Sequence, residues 1–157
     1  MIELQIPSRG IIKLEYAVFD VNGTLAVDGQ LIEGVEPLIA RLRDKLEVRL
    51  LTADTQGRQA EIDGQLKLTA DRVKPGGHER EQKAAYVRAL GAHKVVVIGN
   101  GSNDVDMLKT AALSIAVIGY EGTAYKALAA ADIVTHNIFD AINLLLFPKR
   151  LIATLRH

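Results

Sequence analysis

The side chains able to do chemistry stand at four places in this 157-residue chain. Asp20 follows the short apolar run 16–19, Thr52 closes the run 48–51, and Lys83 lies in a helical stretch. The loop Gly99-Asn100-Gly101-Ser102-Asn103-Asp104 follows the β-branched run 94–98. A carboxylate can attack an electrophile or hold a hard cation, while a hydroxyl and an ammonium can receive an anion. Taken singly, each also has an ordinary reading. Asp20 fits a loop, Thr52 a helix cap, Lys83 a solvated helix face and the Gly-rich loop a turn. Their joint meaning depends on the elements that carry them.

Those elements can be read from periodicity. Residues 1–6 alternate apolar and polar, Pro7-Ser8-Arg9-Gly10 reads as a turn, and residues 11–14 pair back as a hairpin, taken as an edge of the main sheet. Residues 25–27 and 30–32 flank Asp28-Gly29, a pair suited to the positive φ of a tight two-residue turn. Val35, Leu38, Ile39, Leu42 and Leu46 recur at helical spacing. After the strand ending at Thr52, a short helix over 56–62 leads to an ill-defined segment ending at Pro75-Gly76-Gly77. A helix over 78–90 carries Lys83, with Gly91 as its C-cap. There follow a strand at 94–98, a helix at 103–112, a strand at 114–118, the Ala-rich helix near 124–131 and a strand at 132–134. A C-terminal helix kinked at Pro148 completes the chain. Strands alternating with helices predict a mostly parallel sheet covered on both faces, with ligands at the carboxyl ends of its strands.

In that setting, Asp20-Val21-Asn22-Gly23-Thr24-Leu25 resembles the first motif of the haloacid dehalogenase superfamily, which directly follows a buried strand. Thr52 matches the Thr or Ser that ends the next strand in that superfamily, and Lys83 matches its lysine. The 99–104 loop matches its Gly-Asp-Gly-x-x-Asp motif with one change. All four occur in the superfamily's order and cover residues 16 to about 135. The stretch from Lys83 through GNGSNDVDMLKTAALSIAVIG to AAADIV also resembles the phosphorylation domain of P-type cation-transport ATPases. Their nucleotide-binding insertion and membrane helices are missing, so the chain is most similar to the small soluble P-type ATPase-like phosphatases.

The resemblance implies an α/β fold: a doubly wound, three-layer, Rossmann-like parallel sheet. It forms one domain over 1–157, with a hairpin flap at 25–33 and no cap domain. It implies a Mg²⁺-dependent phosphohydrolase that passes through an aspartyl phosphate on Asp20. Asp20, the Asn22 backbone carbonyl and the Asn100 side-chain carbonyl would be direct cation ligands, and Asp104 would act directly or through water. Thr52, the backbone at Ala53, and Asn103 would hold phosphoryl oxygens, and Lys83 would offset their charge.

Two departures shape the expected activity. Most phosphatases of the superfamily carry an acid two residues after the nucleophile, where this chain has Asn22, an amide unable to exchange a proton. Such acid–base help is typically worth about 10²–10⁴-fold, so slow release of poor leaving groups is expected. Asn100 replaces the usual cation-binding Asp, predicting weaker Mg²⁺ binding. Both are followed by glycine, and Asn-Gly pairs deamidate readily when flexible.

Composition narrows the partners. Lys plus Arg and Asp plus Glu number 19 each, giving no overall field for nucleic acid or an anionic membrane. There is no cysteine, no run long enough for a membrane helix and no leader-like start, which together predict a cytoplasmic protein. The four histidines lack ligand spacing. Only the 25–32 hairpin and the 30 residues between Thr52 and Lys83 occupy the places where relatives insert a cap. An open site suits a large or protein-borne phosphate, or a lid from a second copy in a homo-oligomer; the expected partner is a phosphorylated small molecule or a protein-borne phosphate. The alternative to a phosphatase is a regulatory phosphate-binding module of the same fold with impaired chemistry. A response-regulator receiver is discounted, because it carries its acceptor aspartate after the third strand.

Overall fold

A computed structural model describes residues 1–53 and 57–157. In chain order its elements begin with β1 (Ile2–Ile6), β2 (Gly10–Leu14), β3 (Tyr16–Asp20), β4 (Ala26–Val27), β5 (Gln30–Leu31), α1 (Val35–Leu42) and β6 (Glu47–Thr52). Next come α2 (Gln59–Leu66), β7 (Asp71–Arg72), α3 (Glu79–Leu90), β8 (Val95–Gly99), α4 (Val105–Thr110) and β9 (Leu113–Val117). The chain continues with α5 (Tyr125–Ala130), β10 (Ile133–Thr135), α6 (Ile138–Leu146) and α7 (Pro148–Leu155).

Six strands form one sheet in the order β10-β9-β8-β3-β6-β7, and every neighbouring pair is parallel. VVVIG is apolar throughout and LSIAV is broken only by Ser114, and both are buried along their whole length, as central parallel strands must be when helices cover both faces. One face of the sheet packs with apolar side chains of α1, α2, α6 and α7, including Ile39, Ile62, Ile142 and Leu151. The other packs with Val87, Val105, Leu108 and Ala127 of α3, α4 and α5. This is the doubly wound α/β architecture expected.

From β3 the chain crosses to β6 on one side and later to β8 on the other. The winding direction reverses there, opening a crevice at the carboxyl ends of these strands. Asp20, Thr52 and Gly99 are the last residues of β3, β6 and β8, and so stand at that crevice.

Several boundaries differ from expectation. The β1–β2 hairpin is a separate two-stranded sheet and not an edge of the main one. Its alternation buries Ile2, Leu4 and Ile6 in the core beside α7, so the hairpin closes one end of the helical layer. Helix α1 stops at Leu42, and a turn carries Leu46 back into the core. Helix α2 runs from Gln59 to Leu66, later than the predicted 56–62, and Gln56 lies outside the described residues. Strand β7 was not predicted: two exposed charged residues give no apolar pattern, and only pairing with Leu51 and Thr52 makes them a strand. The helix expected at 103–112 is a 3₁₀ turn over Ser102–Asp104 followed by α4. The kink at Pro148 is a complete break, with Phe147 non-helical between α6 and α7 and Pro148 opening the second helix. The flap agrees closely: Ala26 pairs with Leu31 and Val27 with Gln30, while Asp28 and Gly29 take φ values of 53° and 77°.

Candidate active site

Asp20 is held at the mouth of β3 by two neighbours, Lys83 and Thr24. The Lys83 ammonium donates to Asp20 Oδ1 at 2.8 Å and to Asp104 Oδ1 at 2.8 Å, and also reaches Asn103 Oδ1 at 3.3 Å. Lys83 and Asp104 are 1% and 0% exposed, so this ion triad lies inside the protein where water screens little. The Thr24 hydroxyl lies 3.1 Å from Asp20 Oδ2 and 3.2 Å from Asn100 Oδ1. A hydroxyl has one proton, so it serves these two oxygens only in turn or by sharing.

Two carboxylates facing one ammonium cannot both be fully compensated. Burial, then the charge of Asp104, push the Asp20 carboxyl up to about 7, with Lys83 and Thr24 pulling the other way. Burial works against the Lys83 charge, but Asp20 and Asp104 outweigh it and hold the ammonium above its ordinary value. Asp104 has further support, since its Oδ2 accepts the backbone N–H of Asn100 at 3.1 Å and of Gly101 at 3.0 Å. Both of its oxygens are thereby engaged. Gly99 leaves the space this needs: a Cβ there would lie 2.6 Å from Asp104 Oδ2.

Asn22 donates from Nδ2 to Thr52 Oγ1 at 3.2 Å, so the amide at the usual acid position is tied to the neighbouring strand end. Asn100 donates from Nδ2 to the Gly122 carbonyl at 3.5 Å, which turns its Oδ1 toward Thr24 and Asp20. A cleft of about 430 Å³ is lined by Asp20, Asn22, Ala53, Lys83, Asn100–Asn103 and Glu121. The structure thus brings together Asp20, Asn22, Thr52, Ala53, Lys83, Asn100, Asn103 and Asp104. His78, His93, His136 and His157 are all exposed. Two further residues belong to the site. Thr24 lay within the first motif, and its place four residues beyond Asp20 was the available signal. Glu121 carried no signal, because only the fold brings the turn after β9 to this cleft.

Do these residues fit a divalent cation? Among the described residues, no three His, Cys, Asp or Glu side chains converge as a metal cluster. The donors near Asp20 are nevertheless hard oxygens, and Asp20 Oδ2 and Asn100 Oδ1 compete for a single Thr24 proton. A small cation that keeps several waters and takes one or two carboxylates suits that set.

The comparisons agree with this architecture. The sequence model of the haloacid dehalogenase-like hydrolase family matches residues 7–112, and the chain belongs to that family. An uncharacterized protein of Methanocaldococcus jannaschii is 51% identical over 63 residues, covering 40% of this chain and 68% of that one. Among solved structures, the cobalt-bound deoxy-D-mannose-octulosonate 8-phosphate phosphatase of Haemophilus influenzae aligns with a TM-score of 0.70 at 17% identity. The alignment covers 86% of this chain and 88% of that one. The 3-deoxy-D-manno-octulosonate 8-phosphate phosphatase of Moraxella catarrhalis, in complex with magnesium, phosphate and sugar, aligns with a TM-score of 0.65 at 17% identity, covering 90% and 92%. A zinc-transporting P-type ATPase in its E2·Pi state aligns with a TM-score of 0.64 at 27% identity, over 79% of this chain and 20% of that one. No helix among the described residues is long and apolar enough to cross a membrane.

Proposed function

We propose that this protein is a Mg²⁺-dependent phosphohydrolase working through an aspartyl phosphate on Asp20. The observation that carries the reading is the Asp20 carboxylate at the switch point of a parallel sheet, facing an open cleft beside a buried Lys83 and Asn100. Family membership supports hydrolysis, and relatives of the same fold act on phosphorylated small molecules.

Asp20 attacks phosphorus in line, a P–O bond to the carboxylate forms, and the bond to the leaving oxygen breaks. Lys83 is placed to offset charge on the phosphoryl oxygens, and Asn103 and the backbone at Ala53 line the same cleft. Thr52 takes the same part from the end of β6. Asp20, the Asn22 carbonyl and Asn100 Oδ1 would hold Mg²⁺. Bound there, the ion would neutralise and orient the phosphoryl oxygens. Asp104, with both oxygens engaged, anchors Lys83 and the 99–104 loop. Water then attacks the phospho-Asp20, releasing phosphate and restoring the carboxylate. Asn22 gives no proton in either step, so the leaving group must depart as an anion or take its proton from water. Acyl and aryl phosphates are therefore favoured over alkyl ones.

Incubation with acetyl phosphate or p-nitrophenyl phosphate and Mg²⁺ tests this. Turnover and a hydroxylamine-labile phosphate are expected in the native protein and neither in Asp20→Asn. Absence of both in the native protein would leave only phosphate binding. Asn22→Asp is expected to raise hydrolysis of an alkyl phosphate by about 10²-fold while changing acetyl phosphate turnover little. An equal gain on both substrates contradicts the role given to Asn22.

A further inference from the structure

The turn between β9 and α5 brings to the cleft one carboxylate that no motif of the chain marks. Gly119 and Gly122 bridge, Gly122 N donates to the Gly119 carbonyl at 3.0 Å, and Tyr120-Glu121 form the tip. Asn100 pins this turn at two points. Its carbonyl accepts from Ala124 N at 2.9 Å, and its side-chain Nδ2 donates to the Gly122 carbonyl at 3.5 Å. The Glu121 side chain shares the cleft wall with Asp20, Asn22, Lys83 and Asn100. It reaches over Gly23, where an added Cβ would lie 3.0 Å from Glu121 Oε2 and 2.6 Å from Asn100 Nδ2. The missing side chain at position 23 is what gives both groups room.

Charge in the cleft makes this arrangement informative. Asp20 and Asp104 share Lys83, and Asp104, fully buried with both oxygens bonded, does not line the cleft. Apart from Glu121, Asp20 is then the one carboxylate among the described residues that lines the cleft, with amides at positions 22 and 100. Glu121 forms no hydrogen bond or ion pair with any described residue. A bare carboxylate beside a phosphate site would repel the substrate, unless a cation stands between them.

We infer that Glu121 is a second carboxylate for the cation site, placed to meet a divalent ion through its water shell. It restores from a different loop the charge that Asn100 lacks. The inference rests on the cation-dependent reading of the site above. Opposing a dication with one more unit charge across a water is worth on the order of tenfold in affinity.

The test is Mn²⁺ binding in the absence of any phosphate, measured by calorimetry and by the loss of the free-ion EPR signal. It compares the native protein, Glu121→Gln, Glu121→Gln with Asn100→Asp, Asp20→Asn, and Glu36→Gln as a charge control on the exposed face of α1. Glu121→Gln is expected to weaken Mn²⁺ about tenfold, Glu36→Gln to leave it unchanged, and Asn100→Asp to restore the loss. Inorganic phosphate binding without metal should tighten in Glu121→Gln, because a repelling charge is gone. If Asp20→Asn abolishes Mn²⁺ binding while Glu121→Gln weakens it no more than Glu36→Gln, the inference is wrong and the cation site stands. If the native protein binds no Mn²⁺, or Asp20→Asn binds it as well, both readings fall together.

Discussion

At the scale of single residues, Asn22 and Asn100 decide how this site differs from one with a full set of acids. Each precedes a glycine, and such pairs rearrange when the following amide nitrogen is free to attack the side-chain carbonyl. Neither is free here. Gly23 N donates to the Ala26 carbonyl at 2.7 Å, and Gly101 N donates to Asp104 Oδ2 at 3.0 Å. Gly23 is also fixed at φ 83°. Folded protein stored at mildly alkaline pH is therefore expected to keep both asparagines, whereas urea-unfolded protein deamidates several-fold faster. Peptide mapping by mass spectrometry checks this. Equal rates in the two states would mean the turns open freely. These residues were legible as departures from a motif; their protection was not, because it depends on hydrogen bonds to Ala26 and Asp104 that spacing alone does not specify.

At the scale of elements, the site depends on strand ends and on what clamps them. The N-terminal hairpin lies outside the catalytic sheet, yet Leu4 is fully buried and β1 packs against α7. Glu15, just after the hairpin, accepts from Glu47 N at 2.9 Å and donates from its own N to the Lys94 carbonyl at 2.9 Å. The hairpin thus leads into the joint between β3, β6 and β8. Leu4→Ala is expected to cost about 2–5 kcal/mol, because the core there collapses only partly around the lost methyl groups. A urea midpoint shift of that size with unchanged acetyl phosphate turnover per folded molecule would separate the two roles. Loss of turnover in the folded fraction would show that the hairpin also sets the strand ends. The alternation in residues 1–6 made the hairpin readable. Its docking on α7 and not on a sheet edge was not, because either placement buries the same face.

At the scale of the molecule, the buried triad sets stability against function. Asp20 has an ordinary value of 3.8 and is pushed up to about 7 in the fold. Its charged form is therefore disfavoured relative to the unfolded chain. The stability associated with the neutral form is intact below about pH 4, declines between 4 and 7, and is lost above 7. Asp20→Asn removes that charge while Lys83 keeps Asp104, so it is expected to stabilise the protein by on the order of 2 kcal/mol at pH 8. The gain should fade as pH falls toward 4. Urea melts of both proteins at pH 8, 6 and 4.5 measure it, and a gain independent of pH would assign it to something other than the Asp20 charge.

The sequence by itself determined the alternating strands and helices, the tight flap turn at Asp28-Gly29 and the strand-end positions of Asp20, Thr52 and the 99–104 loop. It did so because those features rest on local periodicity and turn chemistry. The order of motifs also brought the haloacid dehalogenase resemblance into view. Only the tertiary structure decided that Lys83 lies between Asp20 and Asp104, that Asp20 and Asn100 share the one Thr24 proton, and that the turn bearing Glu121 folds back over Gly23. Those contacts join residues from 4 to more than 60 positions apart. They depend on sheet order and on the space left by two glycines, which no local pattern in the chain encodes.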